Sequence, residues 1–276
     1  MQTFPLTSVR RAGAAVTMAL LAGCGVSQQQ EVELGQQEAQ QVNAQLPILR
    51  DAAINNYINN LGNSIAKTTS RADLSWEFAV VNTDVVNAFA LPGGFIYVNR
   101  GVLSRASNES ELGSVLAHEI EHVVRRHSVQ QMQQMQGANI GVTLACALTG
   151  VCNNGLGQAA IQVGGQAVFA KFSRDDEIQA DEGGFQNEIR AGLNPRGMLT
   201  FFQKLLAEEQ QTGGGGAAAS WFADHPGTQD RVADVERMLS QVPASTLKGL
   251  RTDSQAFQAM KRRLAQLPPA PATPAR

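Results

Sequence analysis

Helical spacing of apolar residues dominates the chain and predicts most of its elements. Between residues 51 and 67 apolar side chains recur every three or four positions: Ala53, Ile54, Tyr57, Ile58, Leu61 and Ile65. Patterns typical of helices also cover 28–45, 108–134, 173–191, 196–211, 228–239 and 254–267. Most of the chain is therefore expected to be helical.

Three short runs rich in valine and aromatic residues interrupt the helical pattern. They cover residues 77–81, 85–91 and 95–99, and Asn-Thr-Asp and Pro-Gly-Gly triplets separate them. Because such triplets favour turns, the runs predict neighbouring strands of a small antiparallel sheet. The expected fold class is α+β, mainly helical, with this sheet against the helix over 108–134.

Composition and charge limit the architecture and the classes of partner. The chain is long enough for one well-filled domain, expected over 31–267, after a linker at 24–30 and before a disordered, proline- and alanine-rich tail at 268–276. Twenty-two basic and twenty-four acidic residues are mixed along the chain, so no nucleic acid is expected as a partner.

A segment rich in alanine and glycine, 137–170, has no piece that is long and apolar enough to span a membrane. Short, closely packed helices are expected there. Alternatively, the segment dips into the membrane surface or shields the active site, because small residues suit both packing and movement.

The first 23 residues are typical of an export signal. Arg10 and Arg11 precede an apolar stretch, 12–21, that is too brief to span a bilayer. The stretch leads to Leu-Ala-Gly before Cys24, which resembles the lipobox of bacterial lipoproteins. That resemblance implies a lipid on Cys24 that binds the membrane, and Gly25 in place of aspartate favours the outer membrane. The alternative is an ordinary secreted protein cleaved nearby.

Two further cysteines, Cys146 and Cys152, would lie in a compartment where disulfides persist. On a continuous helix their six-residue separation would place them about 240° apart. A bond between them therefore requires a turn at Thr149 and Gly150. A disulfide contributing roughly 2 kcal/mol and a pair of buried free thiols are both compatible with the sequence.

The candidate chemistry centres on the pentapeptide His-Glu-Ile-Glu-His at residues 118–122. Residues four apart on a helix differ by about 40° in azimuth, so His118 and His122 point to one side and can share a zinc ion. Glu119 lies beside that metal, where a carboxylate can take a proton from water acidified by zinc. The pentapeptide predicts a catalytic site with one zinc ion per chain.

A catalytic zinc site needs a third protein ligand. His127 is the nearest candidate, but on a continuous helix it would point about 180° away from His118, which favours a surface or helix-end position. The chain has Arg125 and Ser128 where the metzincin motif has glycine and histidine, so that class of protease is excluded. The third ligand is then His225 or a carboxylate.

Glu177 and Asp181 are the most suitable carboxylates, one turn apart near the start of the helix over 173–191. One can bind the metal while the other accepts a hydrogen bond from a zinc-bound imidazole. Spacing alone does not separate Glu177 from its acidic neighbours, which are Asp175, Asp176 and Glu182. It also does not separate a ligand from a cluster that stabilises a helix N-terminus.

Three motifs resemble the gluzincin metallopeptidase family that contains the CaaX prenyl protease and HtpX. The run Ser-Arg-Asp-Asp-Glu-Ile-Gln-Ala-Asp at 173–181 is similar to the family's second motif. Asn-Ala-Phe-Ala-Leu-Pro-Gly-Gly at 87–94 is similar to its edge hairpin, and His225-Pro226 with Arg231 to its late motif. The resemblance covers about 31–237 and is closest to the bacterial envelope lipoprotein branch.

This resemblance implies ligands and catalytic residues. It implies Glu177 as the zinc ligand and Asp181 as the aspartate that orients the site. His225 and Arg231 are placed near zinc, where they would stabilise a developing oxyanion. His225 could instead occupy the open zinc position in a resting enzyme.

It also implies a mode of substrate binding. Asn87, Ala88 and Phe89 would present a sheet edge to which a substrate backbone adds, which gives affinity with little sequence preference. Alternatively these residues only fill a core and a tight turn.

The expected function is that of a zinc metalloendopeptidase of the bacterial envelope. The resemblance implies unfolded or misassembled envelope proteins as substrates and a connection with the outer-membrane assembly machinery. The rival is a chaperone or assembly factor that binds such clients without cutting them. Metal storage is disfavoured, because storage needs no carboxylate base beside the ligands.

Overall fold

The computed structural model describes residues 25–137, 172–213 and 216–271. Within these ranges the strands are β1 (Glu77–Val81), β2 (Ala88–Leu91) and β3 (Phe95–Asn99). The helices there are α1 (Gln28–Gln45), α2 (Ala52–Ala66), α3 (Arg100–Arg105), α4 (Glu109–Val124), α5 (His127–Gly137), α6 (Arg174–Arg190), α7 (Arg196–Thr212), α8 (Ala219–Asp224), α9 (Thr228–Gln241), α10 (Ala244–Lys248) and α11 (Gln255–Ala265). The expected mainly helical α+β fold is confirmed, although the short helices α3, α8 and α10 were not predicted.

Several helices begin at a polar residue whose side chain accepts a hydrogen bond from the first turn. These residues are Ser27, Asp51, Asn108, Ser173 and Ser254. At α6 Ser173 and Asp176 form a capping box, in which each side chain accepts a hydrogen bond from the backbone N–H of the other residue. At α4 the reciprocal bond is shifted by one residue, because Glu111 accepts from the backbone N–H of Ser107, 2.8 Å away.

The sheet is mixed, and the prediction of an antiparallel sheet is correct for only one of its two pairs. The strand order is β1-β3-β2, with β2 antiparallel to β3 and β1 parallel to β3. The predicted turn after β1 does reverse the chain, but β3 then inserts between β1 and β2. Since β1 and β2 run in opposite directions without being neighbours, β1 pairs with β3 in the parallel sense.

Alternate residues of β3 face two different apolar clusters. Ile96 and Val98 face the main core with α2 and α4. Phe95 and Tyr97 lie in a second cluster that includes Val42 of α1. This period of two, buried on both faces, explains why the strand is a nearly continuous apolar run.

A close approach between α4 and α6 brings the two helices that carry the candidate chemistry together. A Cβ on Gly184 would lie 3.1 Å from the backbone nitrogen of His118, and a Cβ on Gly183 would lie 2.1 Å from a carboxylate oxygen of Glu121. The two glycines therefore let the helix backbones come closer than larger residues would allow.

The predicted helix over 108–134 is wrong in its continuity. It ends at Val124, and a new helix, α5, begins at His127. Between them Arg126 adopts a left-handed conformation with φ 59°, which is uncommon outside glycine. The Arg126 Nε donates to Glu31 at 2.7 Å, so a contact from a distant helix stabilises the break.

Glu31 on α1 is completely buried and joins three parts of the chain. Its Oε1 accepts from Nη1 of Arg71 at 2.7 Å and from the N–H of Gly93, in the β2–β3 turn, at 3.2 Å. Its Oε2 accepts from Arg126, while Arg71 also donates to the carbonyl of Val123 at 2.9 Å. These contacts tie α1 to the end of α4 and to the hairpin.

Some predictions concern the edges of the described ranges. The helix α1 matches the predicted helix at both ends and includes the last residues of the predicted linker, 24–30. The first residue of the predicted tail, Pro268, accepts a hydrogen bond from Arg100 at 2.6 Å.

Several predictions lie outside the described residues: those on the export signal, Cys24, Cys146, Cys152, most of 137–170 and the end of the tail. Among the helices described, none combines the length and the apolar character needed to cross a bilayer.

Glu38 should make the stability of the protein depend on pH. Burial on α1 raises the pKa of Glu38 from 4.5 to about 7. A carboxyl group whose pKa is raised on folding does not destabilise the protein while it is protonated in both the folded and the unfolded state. Its ionisation is unfavourable in the folded state, so the free energy of unfolding falls as pH rises from about 4.5 to 7. We expect Glu38→Gln to raise the free energy of unfolding at pH 8.5 by up to about 3 kcal/mol and to change it little at pH 4.

Urea denaturation at the two pH values measures this difference. Glu33→Gln is the matched control, because Glu33 is an exposed carboxylate on the same helix. An equal effect of Glu38→Gln at both pH values would contradict the assignment.

Candidate metal centre

The imidazoles of His118 and His122 lie side by side on the buried face of α4. Their Nε2 atoms are 3.0 Å apart, and both side chains are almost fully buried. The helix that carries them begins at the Asn108 cap and continues unbroken through both residues. The convergence predicted from the four-residue spacing is therefore present.

Glu177 reaches the same point from the first turn of α6. Its Oε2 is 3.4 Å from Nε2 of His118, and its Oε1 is 3.5 Å from Nε2 of His122. The competing acidic residues point elsewhere: Asp175 and Glu182 are exposed, and Asp176 caps the helix through Ser173. Of the carboxylates on α6, Glu177 is the one that meets both imidazoles.

His225, at the C-terminal end of α8, completes a group of four. Its Nδ1 is 3.3 Å from Nε2 of His118 and 3.3 Å from Oε2 of Glu177. Its ring stacks on Trp221, with centroids 4.4 Å apart. One donor atom from each of the four residues His118, His122, Glu177 and His225 lies within 4.8 Å of the others.

Asp181 and Arg231 surround this group with hydrogen bonds. Asp181 Oδ1 is 2.9 Å from Nδ1 of His118, the ring nitrogen that faces away from the centre. Arg231 donates from Nε and Nη2 to Asp181 at 2.6 and 2.7 Å, and from Nη1 to Glu177 at 2.6 Å. Each of its three donor nitrogens thus contacts a carboxylate oxygen, and the guanidinium holds both acidic side chains in place.

Glu119 is buried next to the group without joining it. Neither of its carboxylate oxygens accepts a hydrogen bond from the described residues. The nearest basic nitrogen is Nε2 of His225, 3.7 Å from Oε1. A buried carboxylate with no donor is costly, so its position favours contact with water or a cation.

Burial and neighbouring charges act in opposite directions on these groups. Burial would raise the pKa of Glu177, but His225 and Arg231 hold it well below its usual range. Burial raises the pKa of Glu119, which His225 and His118 only partly offset. Burial would lower the pKa of His118, but the adjacent carboxylates outweigh it and raise it to about 9. The neighbouring cations thus favour the charged form of Glu177, whereas burial disfavours the charged form of Glu119.

The donor set fits zinc. Two imidazole nitrogens and a glutamate oxygen are a ligand set of zinc hydrolases, and tetrahedral bonds of usual length separate ligand atoms by about 3.3 Å. The closest separations between His118, His122, Glu177 and His225 in this group are 3.0 to 3.5 Å. One oxygen of Glu177 also has no hydrogen-bond donor among the described residues, as expected for a ligand atom.

The predicted substrate-binding residues lie beside this centre. Ala88 and Phe89 begin β2, which is an edge strand of the described sheet, and Asn87 donates to Asp224 at 2.8 Å. The carbonyl of Asn87 accepts from the N–H of Asn99 on β3. Because backbone bonds alternate along an antiparallel pair, the backbone groups of Ala88 point away from β3.

The outer side of β2 faces the metal centre. The carbonyl of Ala88 lies 3.4 Å from Nε2 of His225. By the same alternation, the backbone N–H and C=O of Ala90 point away from β3, and those of Phe89 point toward it. A peptide added at this edge would therefore bond to Ala88 and Ala90, which refines the prediction of Asn87, Ala88 and Phe89.

His127 occupies a place that the sequence did not predict. The helix-end alternative is confirmed, because His127 is the first residue of α5, but the surface alternative is wrong, since only 2% of it is exposed. Its Nδ1 is 2.9 Å from Nδ1 of His122. The argument from a continuous helix failed because the chain breaks at Arg126.

Two aromatic residues were also missed. Phe172 stacks on His122 with ring centroids 3.9 Å apart, and Trp221 stacks on His225. Each had a local signal: Phe172 precedes the Ser173 cap, where apolar residues often pack back onto their helix, and Trp221 lies one helical turn before His225.

Comparisons with known proteins identify the family. The family model described as Peptidase family M48 matches residues 52–239, more than half of the chain. The chain belongs to peptidase family M48. This metallopeptidase family uses zinc, and the resemblance inferred from the motifs is confirmed.

Curated M48 relatives come from bacteria and mitochondria. "Beta-barrel assembly-enhancing protease" of Yersinia pestis is 30% identical over 231 residues, 80% of this chain and 46% of that protein. "Mitochondrial metalloendopeptidase OMA1" of Schizosaccharomyces pombe is 31% identical over 185 residues, 67% of this chain and 53% of that protein. "Metalloprotease LoiP" of Escherichia coli is 30% identical over 156 residues, 56% and 59% respectively. The chain spans about half the length of these relatives.

Removal of Arg231 should destabilise the metal-free M48 domain. Arg231→Met would leave Glu177 and Asp181 buried without their shared cation. We expect a loss of about 3–5 kcal/mol in the free energy of unfolding and a smaller loss once zinc is bound. Urea denaturation with and without zinc measures both values.

Arg237→Met is the control, because Arg237 lies on the same helix and its ion pair with Asp234 is exposed. Its expected cost is under about 1 kcal/mol. Equal losses for the two variants would show that the buried guanidinium has no special role.

Proposed function

We propose that this chain is a zinc-dependent endopeptidase. The observation that carries the proposal is the convergence of His118, His122 and Glu177 within 3.0 to 3.5 Å, with Glu119 buried beside them and accepting no hydrogen bond from the described residues. Membership of family M48 supports it, as do relatives that are named proteases and metalloendopeptidases.

The chain's own residues divide the work of hydrolysis. His118, His122 and Glu177 would hold the zinc ion, and Asp181 would orient His118 through its Nδ1. When bound, zinc supplies a Lewis acid for the scissile carbonyl and lowers the pKa of a water molecule. Glu119 takes a proton from the attacking water and later gives it to the leaving amine.

His225 would have two positions. In the described one its Nδ1 lies with the ligand atoms and its Nε2 faces the carbonyl of Ala88. With zinc bound, a histidine there would be a fourth ligand, so this arrangement would correspond to a resting enzyme. When the imidazole moves aside, it can donate to the oxyanion of the reacting carbonyl.

Substrate binding and release of His225 would be coupled at β2. A peptide that adds to the outer edge needs the carbonyl of Ala88, which His225 contacts. The incoming backbone would therefore compete with the imidazole for the same acceptor. Arg231 would hold Glu177 and Asp181 in place instead of stabilising the oxyanion, because its donors already contact these two carboxylates.

We further propose a place of action in the bacterial envelope. A lipid on Cys24 would anchor the enzyme, with the outer membrane favoured by Gly25. Its substrates would be unfolded or misassembled envelope proteins, for which backbone recognition suits varied sequences. The name of the Yersinia pestis relative, which refers to assembly of β-barrels, supports a partner in outer-membrane assembly.

Glu119→Gln should separate metal binding from cleavage. It removes the proton acceptor without removing a ligand, so the variant should retain one zinc per chain and lose casein cleavage by about 100-fold or more. Metal analysis and a chelator-controlled protease assay measure these two properties. Undiminished cleavage would refute the role of Glu119.

Glu121→Gln is a control in the same pentapeptide, because the Glu121 carboxylate bonds to Arg125 and Asn187 away from the centre. It should keep both zinc and cleavage. Complementation of a deletion strain by Glu119→Gln would favour the chaperone alternative.

Cys24→Ser tests the anchor. Acyl chains on a cysteine hold a protein stably at a bilayer, so the variant should move from the membrane fraction to the soluble fraction, and wild type alone should incorporate labelled fatty acid. Cys146→Ser controls for the loss of a thiol elsewhere. Membrane partitioning of Cys24→Ser equal to that of wild type would contradict lipidation.

A further inference from the structure

We infer that His127 is a positioning residue for zinc: its Nδ1 accepts a hydrogen bond from His122 and fixes the ring that binds the metal. The inference rests on the proposed zinc site. It adds a residue outside the ligand set and outside the motifs that the sequence singled out.

The two ring nitrogens of His122 face different neighbours. Nε2 is directed to the centre, 3.0 Å from Nε2 of His118 and 3.5 Å from Glu177. Nδ1 is directed away from it, 2.9 Å from Nδ1 of His127. His122 therefore has one nitrogen available to metal and the other committed to His127.

This arrangement fixes the tautomers. A neutral imidazole carries one N–H, so His122 must carry it on Nδ1 when Nε2 binds metal. That N–H points at Nδ1 of His127, which must then be an acceptor. His127 consequently carries its own hydrogen on Nε2, the nitrogen that faces the carboxylate of Asp176 at 3.6 Å.

The fold restricts both rings. Phe172 stacks on His122 at 3.9 Å between centroids and lies 5.9 Å from the ring of His127. His127 is 2% exposed, so water cannot easily replace it as the acceptor. Arg126 has a left-handed backbone conformation and is bonded to Glu31. It turns the chain so that His127 lies against α4.

The Nδ1 atoms of the two histidine ligands thus contact different kinds of partner. His118 contacts a carboxylate, Asp181, whereas His122 contacts a neutral imidazole. Partners of this kind hold a ligand in its binding orientation, and their loss typically weakens metal binding 10- to 100-fold. His127 is expected to contribute in this range.

An isosteric pair of variants separates the hydrogen bond from packing. Asparagine can place an amide oxygen near the position of Nδ1, and leucine has almost the same shape without an acceptor. We expect His127→Leu to weaken zinc binding 10- to 100-fold and His127→Asn to stay within about threefold of wild type. Competition with a chromogenic chelator gives the dissociation constants.

A second readout reports the ligand geometry. Cobalt(II) substituted for zinc should give the same visible absorption spectrum in wild type and His127→Asn, and an altered one in His127→Leu. Urea denaturation of the metal-free proteins tests whether the fold is retained. If His127→Leu does not fold, His127→Gln takes its place, because its longer amide reaches the position of Nε2 and leaves Nδ1 unreplaced.

Two results would overturn the inference. One is zinc affinity in His127→Leu equal to wild type, and the other is equal weakening by leucine and asparagine, which would assign the effect to packing. His118→Ala, measured in parallel, tests the site itself. If wild type and His118→Ala bind zinc equally weakly, the proposed function fails, whereas a failure of His127 alone leaves it standing.

Discussion

One guanidinium between two carboxylates is the interaction on which the candidate metal centre depends. Arg231 is inside the protein, where an isolated charge would be very costly. Its charge is tolerated because the carboxylates of Glu177 and Asp181 lie next to the guanidinium. Their charges are tolerated because the guanidinium contacts both of them. If zinc binds as proposed, Arg231 would fix one ligand, Glu177, and Asp181 would orient another, His118. The close approach of α4 and α6 at Gly184 then brings this ionic group against α4, the helix that carries His118 and His122.

Local signals in the sequence predicted the elements whose ends carry them. The helices α1 and α6 begin at serine caps that can be read directly, and β3 ends where its apolar run ends. The parallel pairing of β1 and the break at Arg126 could not be predicted in this way. Both depend on contacts between residues far apart in sequence: β3 inserts between earlier strands, and Arg126 needs Glu31, nearly one hundred positions earlier.

The candidate site shows the same difference between residues that local patterns predict and residues that they do not. His118 and His122 followed from helix geometry alone, whereas Glu177 required a family resemblance, since its acidic neighbours have equivalent spacing. His225 was placed near zinc by resemblance only. His127 was misjudged because its direction was calculated along a helix that does not continue. A histidine near a metal motif can therefore be assigned only after the path of the backbone between them is known.

The first helix would limit the region in which a lipid-anchored enzyme could act. Its cap, Ser27, is three residues after Cys24, a tether of about 10 Å when extended. Glu31 fastens that helix to the end of α4 and to the hairpin. An enzyme lipidated at Cys24 could therefore neither drift far from the bilayer nor swing freely on a flexible arm. Such an enzyme would cleave only polypeptides that come close to the membrane surface.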